Sequence, residues 1–246
     1  MTVEFDRESQ SLIDFLFLKR LPLSWKDTED LKGVDSGWTA KARRIKDNHE
    51  HYPGCIIKLY SPGIPSPKQQ RIFAQNIVAL KRLTPLGLRI GLERIPHLRA
   101  SGRFMDRPAV IETPVQHMFG NKFHQLFHLA AQENRLTFYR SLANLKAVLA
   151  FAGVVHTEAD QLDFSCNPKF KAGIVDFGQS WTVGSPLNDV TKAEAETDAA
   201  GHLAQWMRET ERSSRSPLDI EPLYDRSSTI LSSLCHILEK MVILAM

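Results

Sequence analysis

Patterns typical of strands and patterns typical of helices are segregated along this chain of 246 residues. Before residue 113, short runs rich in β-branched and aromatic residues predict strands, most clearly over Cys55–Tyr60 and Ala109–Glu112. One helical repeat of apolar residues, Lys68–Leu83, lies between these strands, and we expect it to end before Pro85. The apolar run Leu12–Leu18 fits either a strand or a short helix. This part of the chain therefore predicts a strand-rich lobe with one helix.

Helical patterns dominate after residue 113. Leu136–Phe151 carries apolar residues at the 3.6-residue spacing of a helix face, and Thr191–Glu194 fits a capping box that begins another helix. A late apolar run, Ala172–Val175, predicts a short strand. The charged, serine-rich stretch 209–216 predicts an exposed linker, and the tail 227–246 predicts an amphipathic helix. Segregation of this kind is typical of an α+β fold, and we expect two lobes with a crevice between them.

Composition and charge exclude several classes of protein. The hydrophobic fraction of 43% and the charged fraction of 24% are those of an ordinary globular domain. A net charge of +3 is too small to indicate a nucleic-acid or membrane partner, and we interpret the basic residues of the first predicted helix as a solvated face. Three widely spaced cysteines exclude a closed disulfide framework and a four-thiolate zinc site. Because the chain has no apolar run of 18 residues and an acidic N-terminus, we expect a cytoplasmic or nuclear protein.

Residues that could carry chemistry are concentrated in the stretch 153–178. A predicted helix ends there, a carboxylate-rich loop with Glu158 and Asp163 follows, and a short predicted strand presents Asp176 at its end. Clustered loop carboxylates are oxygen ligands of the kind that Mg²⁺ prefers. Phosphoryl transfer also needs a lysine to hold phosphate oxygens, and Lys58 lies in the middle of a predicted strand. The alternatives are a solvated acidic loop, an exposed strand lysine and, for Asp176, an ordinary turn.

These residues resemble the motifs of the protein-kinase-like fold family, which includes protein kinases, aminoglycoside and choline kinases, and many small kinase-like proteins of fungi. Ile56-Ile57-Lys58 is similar to the strand that supplies the family's phosphate-binding lysine, and Asp176-Phe177-Gly178 is similar to its metal-binding motif. His156 falls at the histidine of the family's catalytic loop, which has a structural role. By the same count, Glu158 falls at its catalytic Asp and Asp163 at its metal-binding Asn. The resemblance implies ATP and Mg²⁺ as cofactors.

The sequence departs from the family at positions that matter for catalysis. In the family a helix carboxylate pairs with the lysine that corresponds to Lys58, but the segment 51–91 has no Asp or Glu, and the expected position falls on Asn76. An amide can give one hydrogen bond there but no charge. Glu158 is one methylene longer than the expected Asp, and a displacement of that size costs on the order of 10²-fold in rate. Asp163 adds negative charge beside the phosphates where the family has a neutral Asn.

The resemblance to the kinase-like family covers roughly residues 31–185, and two further departures from it imply weakened binding of ATP. Glu112 lies on the strand that leads to the hinge, but the backbone N–H that should bond adenine falls at Pro114, which has no such donor. The Gly-rich loop is reduced to Gly33 and Gly37, so that phosphates are less fully covered. The remaining chain contains no A-P-E triplet, and a full peptide-docking lobe does not fit into it.

We therefore predict a two-lobed protein-kinase-like α+β fold, with a strand-rich lobe over 1–113 and a truncated helical lobe over 114–246. The leading functional hypothesis is a pseudokinase that acts by nucleotide-influenced binding and scaffolding of a protein partner. In this hypothesis Lys58 contacts ATP weakly, and Asp176 and Asp163 are the metal ligands.

The competing hypothesis is an active but atypical ATP-dependent phosphotransferase. Glu158 would then accept the proton of a substrate hydroxyl, Asp163 and Asp176 would hold magnesium, and Lys58 would hold the phosphates of ATP. The missing peptide-docking elements favour a small-molecule acceptor over a protein acceptor. A third hypothesis is a binding protein with a basic surface and no nucleotide site.

Overall fold

The computed structural model of the chain divides it into two compact units. The first unit comprises residues 1–115 and 176–189, and the second comprises residues 116–175 and 190–246. The structure describes residues 6–31, 40–60, 67–90, 94–115, 118–119, 127–158 and 164–219. Some predictions fall outside these ranges, namely those for Gly33, Gly37, Asp163 and the tail 227–246.

Four helices of ten residues or more and ten short strands occur within the described ranges, which confirms the predicted α+β class. In chain order they are α1 (Arg7–Leu16), β1 (Thr28–Asp30), β2 (Ala40–Ile45), β3 (Ile56–Tyr60), α2 (Pro67–Ile90), β4 (Leu98–Phe104), β5 (Arg107–Glu112), β6 (Met118–Phe119), α3 (Gln132–Phe151), β7 (Val154–His156), β8 (Phe164–Cys166), β9 (Ala172–Ile174), β10 (Ser180–Thr182) and α4 (Lys192–Arg212).

The first unit is built on a five-stranded antiparallel sheet with the strand order β1-β2-β3-β5-β4. The strands predicted from their β-branched residues are confirmed as β3 and β5. Strands β4 and β5 form a hairpin whose two turn residues, Met105 and Asp106, have φ angles of 46° and 64°. These angles lie in the left-handed region that tight hairpin turns use.

Two of the described helices, α1 and α2, belong to the first unit, where the sequence predicted one. The apolar run 12–18, which fits either a strand or a helix, is helical as far as Leu16, where α1 ends. Helix α1 is N-capped by Asp6, whose carboxylate accepts a hydrogen bond from the N–H of Ser9 at 2.8 Å. Helix α2 continues through Pro85, so the expectation that it ends before this proline is wrong. A proline removes one backbone donor, and Pro85 lies on the exposed side of α2 together with Leu86, after the buried Leu83.

Side-chain alternation in β3 and β5 gives the sheet two different faces. Ile57, Leu59 and Ile111 belong to a buried cluster on one face. Lys58 is paired in register with Val110 and projects from the other face, where Val110 packs against residues of α1 and α2 in a second buried cluster. Helices α1 and α2 therefore cover the face of the sheet from which Lys58 projects.

The second unit combines α3 and α4 with a three-stranded antiparallel sheet in the order β6-β8-β9. The helix predicted from its apolar stripe is confirmed as α3, and the late apolar strand is confirmed as β9. Helix α4 begins with the predicted capping box, in which the Thr191 hydroxyl accepts from the N–H of Glu194 and the Glu194 carboxylate accepts from the N–H of Thr191. No helix in the described ranges is long and apolar enough to cross a membrane.

Helix α4 extends into the segment 209–216, which was expected to be an exposed linker. The helix continues to Arg212, and Glu211 within it is only 3% exposed. The Glu211 carboxylate accepts two hydrogen bonds from the guanidinium of Arg135, at 2.9 and 3.0 Å, and a third from the Tyr139 hydroxyl at 2.6 Å. The expectation of exposure is therefore wrong for Glu211, because its charge is compensated inside the unit instead of by water.

Candidate functional site

Lys58 is held by a carboxylate from the neighbouring strand. Its Nζ lies 2.9 Å from Oε1 of Glu112 on β5. Glu112 lies two residues beyond Val110, the residue paired with Lys58, and is therefore its diagonal neighbour on the same face of the sheet. The side chains of Lys58 and Glu112 are 17% and 5% exposed. Since Lys58 is largely buried and ion-paired, the structure contradicts the alternative that it is an exposed strand residue.

Glu112 is a buried acid that feels two further charges. Burial raises the pKa of its carboxyl group, the Lys58 ammonium opposes that rise, and the Asp176 carboxylate adds to it. Oε2 of Glu112 is buried and has no hydrogen-bond partner among the described residues. Asp176 is thus close enough for its charge to act on Glu112. We refer to Lys58, Glu112 and Asp176 as the charged group of the first unit.

Asn76, at the position where the family has the lysine-pairing carboxylate, is engaged elsewhere. It is buried on α2, and its side-chain oxygen accepts a hydrogen bond from the backbone N–H of Phe177 at 3.1 Å. This bond joins α2 to the turn that carries Asp176. In the described contacts the carboxylate that pairs with Lys58 comes from Glu112 on β5.

The turn Asp176-Phe177-Gly178 is tightly packed against α2. Oδ1 of Asp176 accepts a hydrogen bond from the N–H of Gly178 at 2.9 Å, which is the pattern of an Asx turn. The ring of Phe177 is fully buried. A Cβ atom on Gly178 would lie 2.5 Å from Cγ2 of Ile72 on α2, so the close approach of the turn to the helix requires a glycine there. Packing and local hydrogen bonding therefore fix the position of the Asp176 carboxylate.

The side chains of the charged group are of the chemical types that bind the phosphates of ATP and Mg²⁺. Lys58 offers an ammonium for phosphate oxygens, and Asp176, which is partly exposed, offers a carboxylate oxygen to a cation. Within the described ranges no cluster of three or more His, Cys, Asp or Glu side chains could hold a metal ion by itself. Mg²⁺ is commonly bound through one or two carboxylates together with phosphate oxygens and water. A single carboxylate at Asp176 is compatible with that mode.

A second group of predicted residues lies in the second unit, on the loop that follows β7. His156 is buried at the end of β7, and Glu158 is partly buried two residues later. The Nζ of Lys146 on α3 donates to the carbonyl oxygens of His156, at 3.1 Å, and Glu158, at 2.6 Å. His202 on α4 donates from Nδ1 to the carbonyl oxygen of Thr157 at 2.8 Å, which requires a proton on that nitrogen. The backbone of residues 156–158 is therefore held from two helices.

Two residues that shape these groups are not predicted in the roles that the structure shows. The sequence assigns Glu112 to the strand before the hinge, and its pairing with Lys58 follows only once the register of β3 and β5 is known. Lys146 does have a sequence signal, since it lies within the apolar stripe of α3, next to Leu145. The structure shows that it is buried. A lysine on the buried face of a helix needs polar partners, and here they are backbone carbonyls.

The predicted site residues are thus distributed over both units. Four of them lie in the first unit, namely Lys58, Asn76, Glu112 and Asp176. His156 and Glu158 lie in the second unit. Gly33, Gly37 and Asp163 lie outside the described residues.

The sequence matches no protein-family model and no curated protein.

Proposed function

We propose that this protein is a kinase-like pseudokinase, with two lobes of the protein-kinase-like type, that binds a nucleotide together with Mg²⁺ in its first unit. One observation carries the proposal: the charged group contains the lysine and the carboxylate that phosphate and magnesium binding require, with Glu112 paired to the lysine and influenced by the charge of Asp176. Lys58 supplies the hydrogen-bond donor to phosphate oxygens. Asp176 supplies the protein ligand of the cation.

The charge of this group indicates which form of nucleotide it accepts. With both acids ionised, one ammonium and two carboxylates leave an excess of one negative charge, which repels a bare triphosphate. A divalent cation bound near Asp176 reverses that sign and adds ligand positions for phosphate oxygens. Binding of ATP is therefore expected to depend on Mg²⁺.

The same residues support weak rather than efficient catalysis. The lysine is paired with a strand residue, and the helix position expected to hold its partner is the neutral Asn76. Glu158 and Asp163 both differ from the residues that the kinase-like resemblance requires at their positions. A protein with a retained nucleotide site and altered catalytic positions acts best as a scaffold whose interactions respond to nucleotide.

Thermal unfolding in the presence of ligand tests this proposal. The full chain is measured alone, with Mg·ATP, with ATP and EDTA, and with Mg²⁺ alone. A single site at 100 times its dissociation constant stabilises the folded state by about 2.7 kcal/mol. We expect stabilisation with Mg·ATP only, and we expect Lys58→Met and Asp176→Ala to abolish it. The control variant Asp30→Asn removes an exposed carboxylate on β1 and should keep the stabilisation. The absence of any stabilisation of wild-type protein at millimolar Mg·ATP would overturn the proposal.

An active phosphotransferase is the second candidate, and the contacts of residues 156–158 favour it. A buried lysine and a histidine hold the backbone of this loop, and a general base needs a fixed position of this kind. ATP turnover with small hydroxyl compounds tests the candidate. If Glu158 and Asp163 limit turnover, the double variant Glu158→Asp, Asp163→Asn should raise the turnover rate. If the reaction requires the longer side chain of Glu158, the same double variant should lower it.

A further inference from the structure

The position of Lys58 is set within its own sheet. Backbone pairing places Lys58 opposite Val110 and Ile56 opposite Glu112, so the α-carbons of Lys58 and Glu112 are fixed by the same antiparallel ladder. Diagonal neighbours on one face of a sheet are within reach of long side chains. The distance of 2.9 Å between Nζ and Oε1 shows that these two side chains use that reach.

Apart from its ion pair with Lys58, the Glu112 carboxylate makes few polar contacts among the described residues. Its side chain is 5% exposed, so water compensates little of its charge. Oε1 is bonded to Lys58, and Oε2 has no hydrogen-bond partner among the described residues. In this part of the structure, the ammonium of Lys58 is therefore the group that makes burial of this carboxylate tolerable.

Helix α2 does not offer a comparable partner at Asn76. The side-chain oxygen of Asn76 is bonded to the N–H of Phe177, and an amide carries no charge. A carboxylate on a packed helix can move away from a lysine when the helix shifts, whereas a carboxylate on the adjacent strand moves with the sheet.

We propose that Glu112 is the positioning residue for Lys58, and that it orients the lysine for phosphate binding from the adjacent strand of the same sheet. This inference rests on the proposed function of the first unit as a nucleotide site. It implies that Lys58 has its binding orientation before nucleotide arrives.

The test separates positioning from simple charge. If Glu112 acted only as a negative charge near the phosphates, Glu112→Gln would tighten binding of Mg·ATP. If it positions Lys58, the same variant frees the lysine to adopt other rotamers and weakens binding towards that of Lys58→Met, by about 10- to 100-fold. Titration calorimetry of both variants and of the matched control Asp30→Asn gives the dissociation constants. Should Glu112→Gln fail to fold, Glu112→Asp keeps the charge on a shorter side chain and should weaken binding by an intermediate factor.

A second measurement without nucleotide makes the inference independent of the proposed function. Acetylation by a limiting amine reagent, measured by mass spectrometry, compares the labelling rate of Lys58 with that of the exposed Lys41. The Lys58 amine is held against the Glu112 carboxylate and is little exposed, so Glu112→Gln should release it and raise its labelling rate severalfold while leaving Lys41 unchanged, whereas Asp30→Asn should not alter Lys58.

The outcomes distinguish the two proposals. Unchanged Lys58 labelling in Glu112→Gln, or tighter binding of Mg·ATP by that variant, overturns the positioning role while leaving the nucleotide site intact. Equal binding by wild type and Lys58→Met overturns the nucleotide site, and the labelling rates then decide the positioning role alone.

Discussion

The side-chain oxygen of Asn76 accepts a hydrogen bond from the buried backbone of Phe177 at 3.1 Å, and this bond ties helix α2 to the turn that carries Asp176. We predict that Asn76→Ala destabilises the protein by about 1–3 kcal/mol, because the N–H of Phe177 is left without its acceptor. Urea unfolding measures the change. Lys68→Ala, on the exposed surface of α2, should stay within about 0.5 kcal/mol of wild type, and an equally small effect of Asn76→Ala would contradict the prediction.

The contact between Gly178 and Ile72 leads to a second prediction. A methyl group on Gly178 would lie 2.5 Å from Cγ2 of Ile72 and 3.3 Å from Oδ1 of Asp176. Gly178→Ala should therefore cost about 1–3 kcal/mol through overpacking. Because Ile72→Ala removes the clashing atom, the double variant should be more stable than the sum of the two single changes predicts. A double-mutant cycle by urea unfolding measures this coupling, and strictly additive changes would argue against the clash.

The buried ion pair of the second unit gives a third prediction. The side chains of Arg135 and Glu211 are 2% and 3% exposed. Glu211→Gln leaves the Arg135 charge buried without its partner, and we expect a loss of about 3–5 kcal/mol in the free energy of unfolding. Asp189→Asn is the matched control, since Asp189 pairs with Arg71 at the same distance of 2.9 Å but is 68% exposed. Its loss should be no more than about 1 kcal/mol. Similar losses for the two variants would contradict the role of burial.

Strands β3 and β5 show how much of the fold could be predicted from sequence. Their β-branched residues favour strands locally, and the structure has them where they were expected. Their pairing brings together segments that are distant in sequence, and no local pattern specifies which residue of β5 lies beside Lys58. The position of Lys58 within a strand was therefore predictable, whereas its pairing with Glu112 was not.

One wrong expectation has its cause in a contact that is distant in sequence. A run of charges around Glu211 is typical of a solvated linker, yet Arg135 from another helix compensates that charge and allows it to be buried. That contact outweighs the local preference. Pro85 is typical of a helix end, yet α2 continues through it with Pro85 and Leu86 exposed to solvent.

The two buried cysteines of the described chain should be protected from alkylation. Burial raises the pKa of the Cys166 thiol to about 12 and also raises the pKa of Cys55. The thiolate is the reactive form, so at pH 8 only about one Cys166 thiol in 10⁴ is ionised. We expect iodoacetamide to label Cys166 and Cys55 slowly in native protein and fully in denaturant, as measured by peptide mass spectrometry. Fast native labelling at pH 8 would show that Cys166 is accessible as thiolate.

The capping box of α4 predicts how stability changes with pH. Hydrogen bonds from the N–H and hydroxyl of Thr191 lower the pKa of the Glu194 carboxyl. A carboxyl with a lowered pKa in the folded state stabilises that state above its unfolded value of about 4.3, and this contribution is lost as the pH falls through the folded value. Glu194→Gln should therefore lower the free energy of unfolding at pH 7, with a smaller difference from wild type at pH 3. Asp198→Asn, which removes an exposed carboxylate of the same helix without removing the cap, is the control. If the free energy of unfolding of Glu194→Gln lies below that of wild type by the same amount at both pH values, the carboxylate charge does not contribute to the cap.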